Sequence, residues 1–264
     1  MKSPRNITAT ASLFLVFGLA LTGCSGSAAP ASDPPAKSEQ AADTGELTQD
    51  NFAERISKAQ LAAGSAHVLA DVPGGTGGFM EGDISFSEDP GKTSGMFSMA
   101  IPTGSGQVLL VDGTMYLFMG PLTGGKYVDL SQSSAGADVK DAIARINPET
   151  QLQSFSAAIE SFKAEPEKEQ IDGVDITKIT MEMNTKKLLA NGPLAESAQG
   201  QAMTDAFGET MEYIMYVGED DLIRRITAPA PTGSYDMSYY EWGKEVVVEA
   251  PTPDQLTDPA SIGM

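Results

Sequence analysis

The chain has 264 residues, 41% of them hydrophobic, with 36 acidic against 17 basic side chains, one histidine and one cysteine. A formal charge of −19 disfavours nucleic-acid binding, because phosphates repel it, and excludes a polybasic grip on anionic lipid headgroups. One cysteine excludes an intramolecular disulfide and a cysteine metal cluster, and one histidine leaves a single centre at most for Ser-His-Asp or Cys-His catalysis.

The N-terminus carries Lys2 and Arg5, then an uncharged, mostly apolar run over residues 7–21. This is the layout of a signal peptide, too short to span a bilayer. Leu21, Thr22, Gly23 and Cys24 follow. A leucine three residues before a cysteine, with small residues between, resembles the lipobox of bacterial lipoproteins. That resemblance implies a signal peptide over residues 1–23, cleavage before Cys24, and diacylglycerol thioether-linked to the Cys24 sulfur. Two acyl chains give stable anchoring, each buried CH₂ contributing about 0.8 kcal/mol. The expected location is the extracytoplasmic face of the cell membrane. Loss of Lys2 and Arg5 on cleavage takes the formal charge from −19 to −21.

Residues 25–46 contain no large apolar residue and are rich in Ala, Ser, Pro and acidic side chains. Together with acylated Cys24 they read as a disordered tether, residues 24–46. Residues 47–264 then read as one domain, long enough to bury a core. Its first element is a helix over 48–63, with Phe52, Ile56, Ala59 and Ala63 on one face and Gly64 as the stop.

The hydrophobic period then drops to two. Strands are expected at 67–72, 79–87 and 95–101, separated by Gly- and Pro-rich turns. Asp112-Gly113, between VLLV and TMYLFM, marks a hairpin. A short strand at 126–129 leads into a helical interruption, with a turn or more in 139–145 and a better helix over 148–162. Strands resume at 164–170, turn at Asp172-Gly173 and run on through VDITKITMEM. Residues 185–207 form a second helical or irregular insertion. The end is a meander of TMEYIMYV, LIRRITA, SYDMSYYEW and KEVVVEA, with a GEDD turn after the first. Ten or eleven antiparallel strands with two or three helices make an α+β domain, a curved sheet with helices against one face.

Several segments carry a family resemblance. Phe52 and Ile56 followed by AGSAHV (63–68), LVDGTMY (110–116), YVGEDDLIRR (216–225) and YYEWGKEVVVEAP (239–251) resemble the LppX/LprG family of actinobacterial lipoproteins. The resemblance runs through nearly the whole domain, whereas the loop 73–78 and the insertion 191–206 fit no family pattern. It implies a fold like that of LolA and LolB: a strongly curved, incompletely closed antiparallel half-barrel with helices over its concave face. It also implies an apolar cavity that takes an acylated lipid or lipoglycan, for lipid binding and transfer rather than catalysis. The alternative is an accessory protein-interaction module without a cavity, serving an envelope transporter or an envelope enzyme. A monomer is expected in either case.

The hairpin at Asp112-Gly113 places Val108, Leu110, Met115 and Leu117 on one wholly apolar face, the expected cavity wall. Neighbouring strands offer Met80, Ile84, Phe86, Phe97, Met99, Ile101, Ile179, Met181 and Met183. Methionines suit a surface that must fit variable alkyl chains, although each alone reads more simply as a gap-filler in a core. His67 is expected to be structural, in a strand among apolar neighbours. Residues 219–221 read as a solvated turn rather than a calcium loop. Arg224 and Arg225 could pair with carboxylates or meet a lipid headgroup, and Trp242 is expected to pack in the terminal hairpin. No G-x-S-x-G, phosphate loop, G-x-G-x-x-G or H-E-x-x-H occurs, so no catalytic residue, cofactor or metal is assigned.

Overall fold

The computed structural model describes residues 45–72, 78–101, 104–133, 136, 143, 148–167, 170–190, 204–205, 207–230 and 233–262. The expected signal peptide, Cys24 and nearly all of the expected tether lie outside them, as do residues 73–77, 191–203 and most of the helix expected at 139–145.

The first helix, α1 (Phe52–Ala63), buries Phe52, Ile56, Ser57 and Gln60. The buried stripe follows Phe52 and Ile56 and then turns toward Gln60, leaving Ala59 and Ala63 half-buried. Gly64 ends the helix in the left-handed region (φ 79°), its N–H donating to the Gln60 carbonyl, a conformation that favours glycine.

Two antiparallel meanders follow. The first is β1 (Ser65–Val72), β2 (Gly78–Ser85), β3 (Ser94–Ile101), β4 (Gly104–Val111), β5 (Thr114–Phe118) and β6 (Tyr127–Asp129). Then come α2 (Pro148–Ala158) and the second meander, β7 (Ile159–Pro166), β8 (Ile176–Asn184), β9 (Thr210–Gly218), β10 (Ile223–Ala230) and β11 (Gly233–Tyr240). A short helix, α3 (Thr185–Ala190), follows β8, and β12 (Leu256–Thr257) lies near the end. Pairing of β1 with β11 joins the meanders into a single sheet of order β12-β6-β5-β4-β3-β2-β1-β11-β10-β9-β8-β7. β12 and β7 are its two edges, so the sheet is open. Every pairing is antiparallel except β12 with β6.

Three sequence expectations are corrected. The helix expected over 148–162 stops at Ala158, because Ile159 already pairs with Met183 of β8, and Phe162 and Ala164 sit opposite Met181 and Ile179. The weak helical period there yields to cross-strand packing. The strand expected at 164–170 accordingly begins earlier and ends at Pro166, whose missing N–H suits an edge. KEVVVEA forms no strand. From Lys244 the chain runs irregularly to β12, which adds parallel to β6 at Tyr127 and Val128. The Asp112-Gly113 hairpin has the expected register, with Leu110 opposite Met115 and Val108 opposite Leu117.

Candidate functional site: the apolar face of the sheet

Cross-strand partners share a face. Following the register, Ala164, Ile179, Met215, Ile226, Met237, Ala70, Met80, Met99 and Gly106 form one continuous row from β7 to β4. Alternate residues of the same strands extend this face, including Ile84, Phe97, Val108, Leu110, Met115, Leu117, Met181 and Met183. Twelve of the thirteen expected cavity residues therefore lie on it, or, for Phe86, just past the end of β2. Ile101 holds a register position opposite Gly104, and its side chain lies outside the described residues.

The face has two unlike halves. Over β7–β11 it is a packed core: Phe52 and Ile56 of α1 and Leu152 and Ala158 of α2 sit in one cluster with Ile179, Met181, Met183, Met211, Met215, Val217 and Ile226. Ile179, Met181 and Met183 are fully buried there. They pack beneath the helices, against side chains of the chain's own core. The Phe52 and Phe162 rings meet at 5.3 Å, and Phe155 meets Tyr213 at 5.1 Å. Burial raises the Tyr213 and Tyr239 hydroxyls well above their ordinary pKa, with neighbouring tyrosines adding to the effect.

Over β2–β5 no residue belongs to that cluster. Met80, Ile84, Phe97, Met99, Val108, Met115 and Leu117 are half-buried, while Leu110 is 3% exposed. The floor of this half is thin. Phe97 lies across the bare backbone of Gly82 and Gly95, where added Cβ atoms would sit 2.8 and 3.0 Å from its ring carbons. Met99 lies across Gly106 in the same way, its Cγ 3.0 Å from where a Cβ would stand. Large side chains thus pack directly over glycine backbone. Phe86 borders this half but is engaged, stacking on Trp242 at 5.9 Å. Trp242 also stacks on Tyr239 at 5.8 Å and donates its indole N–H to the Ile223 carbonyl.

The opposite face is polar over β1, β2, β10 and β11, whereas over β3–β5 it carries Met96, Leu109, Val111, Tyr116 and Phe118. His67 is set between carboxylates rather than among apolar neighbours: Nδ1 lies 2.7 Å from Asp83 Oδ1 and Nε2 3.3 Å from Glu81 Oε1, with the Tyr240 ring at 4.7 Å. Strand alternation explains the change, since Val68 faces the helices and His67 therefore faces away. Arg225 donates to Asp236 Oδ1 from Nε and Nη2, and Thr227 and Ser234 donate to the same carboxylate. Burial pushes that carboxyl up, but these hydrogen bonds and the Arg225 charge outweigh it and hold Asp236 below its usual pKa.

The turn at 219–221 is not simply solvated. Asp221 is 6% exposed and takes a two-pronged ion pair from Arg55 of α1, at 2.7 and 3.0 Å. Arg224, also 6% exposed, donates to Asp220 Oδ2 at 2.6 Å. Both arginines of the sequence pair are therefore held by carboxylates. The Arg55–Asp221 pair was not legible in the sequence, because 166 positions separate the partners.

Among the described residues, two cavities open near strand ends. One, of about 470 Å³, includes Phe207, Met211, Ile214 and Pro229 in its lining. The other, of about 550 Å³, lies at Arg224, Arg225 and Tyr240. Neither is lined by any of the thirteen expected cavity residues. Among the described residues, no helix is long and apolar enough to cross a membrane, and no group of three or more His, Cys, Asp or Glu side chains is arranged to hold a metal ion.

No protein-family model matches the chain, and no curated protein matches it. Solved structures do. LprF from Mycobacterium bovis superposes with a TM-score of 0.51 at 16% identity, covering 77% of this chain and 96% of that one. LppX, a lipoprotein of Mycobacterium tuberculosis, gives 0.50 at 13% identity, covering 76% of this chain and all of that one. At such identities the likeness concerns architecture. The chain has the fold of the LppX/LprG lipoproteins, an open and mostly antiparallel sheet carrying a few helices.

Proposed function

We propose that the chain is a cell-envelope lipoprotein, acylated at Cys24, whose domain binds lipid acyl chains against the β2–β5 half of the apolar face. One observation carries this reading: seven large apolar side chains on that half are only half-buried and stand apart from the helix-packed core. Each methylene of an acyl chain moved from water onto such a surface contributes about 0.8 kcal/mol. Methionine thioethers at Met80, Met99 and Met115 adapt to chains of different length and unsaturation. The LprF and LppX likeness supports the lipoprotein reading at the level of the fold. In this reading the protein acts by binding and handing over, with an acylated lipid or lipoglycan as ligand and an envelope transporter as its counterpart.

The alternative, a ligand-free interaction module, is favoured by one observation: the β8–β9 part of the same face is packed solid by its own helices. Native mass spectrometry with lipid extraction separates the two. Residues 41–264, which form one compact unit, are expressed without the anchor and examined for co-purifying acylated species. Bound lipid, and uptake of a fluorescent acyl probe, are expected. Their joint absence selects the interaction module. In parallel, Cys24→Ser is expected to release the full chain from membranes while leaving residues 41–264 folded.

A further inference from the structure

The cavity at the ends of β10 and β11 lies away from the acyl-binding half and has a chemistry of its own. Arg225, Ser238 and Tyr240 alternate with Met237 and Tyr239, which join the core, so these three face away from the helices. In a regular strand Arg224 and Arg225 would point to opposite faces. The register shifts between Ile223 and Arg225, and this bulge lets both arginines line one groove of about 550 Å³. Asp172 and Glu241 line it from two neighbouring turns. Glu241 holds a left-handed backbone (φ 50°), uncommon for its residue type.

Charge decides what the groove accepts. Arg224 is paired with Asp220 and Arg225 with Asp236, and Asp172 and Glu241 add two more carboxylates to the lining. These four carboxylates outnumber the three cations beside them, Arg224, Arg225 and the Lys244 ammonium that Glu241 holds at 2.7 Å, and so disfavour an anion. What remains is a set of positioned donors and acceptors: guanidinium N–H groups, two carboxylates, and the Ser238 and Tyr240 hydroxyls. The Tyr240 hydroxyl is a donor at neutral pH as any phenol is; desolvation, followed by the charges of Glu81, Glu241 and Asp83, raises its pKa, and Lys244 opposes them. The Tyr240 ring supplies an apolar surface beside them. Vicinal hydroxyls with an adjoining C–H face match that set, and phosphate does not.

We propose that this groove binds a neutral saccharide, free or as the headgroup of a glycolipid. The inference does not rest on the acyl-binding reading. The full chain, purified in a sugar-free detergent, is screened against an array of neutral mono- to tetrasaccharides, and the best binder is titrated calorimetrically beside inorganic phosphate. Saturable binding of a neutral sugar is expected, with phosphate weaker. Arg225→Met and Tyr240→Ala should each weaken it by about tenfold or more, while Val247→Ala, at an exposed position outside both sites, leaves it unchanged. Should either variant misfold, the Arg225 Nε–H resonance of the unaltered protein is followed during titration: it shifts, and that of Arg55 does not. The same sugar displayed on a glycolipid vesicle should show the same Arg225 dependence as the free sugar. The proposal is overturned if no neutral saccharide binds, if binding survives both groove substitutions, if phosphate binds more tightly, or if binding is confined to vesicles and indifferent to Arg225.

Discussion

The two meanders present the same face of one sheet and use it differently. Over β7–β11, Met181, Met183 and Met215 are sealed beneath α1 and α2. Over β2–β5, Met80, Met99 and Met115 occupy equivalent register positions and remain half-buried. Residue type therefore does not decide whether a methionine becomes core or contact surface. Packing beneath α1 and α2 decides it for Met181, Met183 and Met215.

The largest effects should fall on the sealed half. Met181→Ala removes a fully buried side chain and is expected to cost about 2–5 kcal/mol of unfolding free energy. Met99→Ala, on the same face of the other half, should cost less than about 1 kcal/mol. Denaturant titration of the two variants checks the contrast, and equal losses would abolish the distinction between the halves.

Next in size is the clamp that fastens α1 to the β9–β10 turn. Asp221→Ala strands the Arg55 guanidinium and should cost about 3 kcal/mol, because a nearly buried charge loses its partner. The double change Arg55→Leu with Asp221→Asn should recover much of that loss in the same assay, since asparagine tolerates the left-handed backbone at 221 (φ 59°). A single Asp221→Ala without measurable effect would mean that α1 is held by its apolar stripe alone.

Substitutions on the open half should act on binding instead. Leu117→Trp adds bulk where the proposed acyl site lies and is expected to reduce acyl-probe uptake at least several-fold with little change in thermal midpoint. A drop in stability comparable to that of Met181→Ala would indicate that this half is packed after all.

The smallest effect is acid sensitivity at the seam where the meanders join. Asp236 on β11 sits opposite Asp71 of β1, and its folded-state pKa is lowered. Its contribution to stability is present above the unfolded value, near 3.9, and is lost as pH falls through the folded value. Asp236→Asn should therefore flatten the acid limb of the thermal midpoint against pH below about 4, leaving the neutral plateau lower but level. An unchanged acid limb would remove Asp236 from the seam's stability.

How much of this was legible from sequence depended on the range of the interactions. Strand alternation and the Asp112-Gly113 turn are local signals, and they assigned Val108, Leu110, Met115 and Leu117 to one face with the correct partners. What local signals could not show is which stretch of that face the helices cover, so Ile179, Met181 and Met183 were grouped with residues of a different fate. The helix–strand boundary at Ala158 was missed for the same reason: Phe162 satisfies a helical period, yet its position is set by Met181 across the strand pair. The Arg55–Asp221 pair and the bulge at Arg224 join or redirect residues only after the sheet has formed.

The claim that the β2–β5 half receives acyl chains is tested most directly by photo-cross-linking. A fatty acid carrying a diazirine on its chain is bound to residues 41–264, irradiated, and its adducts are mapped by peptide mass spectrometry. Adducts are expected on the β2–β5 strands, at Met80, Phe97, Met99, Met115 and their neighbours. Adducts confined to β8–β10, or none above a scrambled-lipid control, would contradict the account.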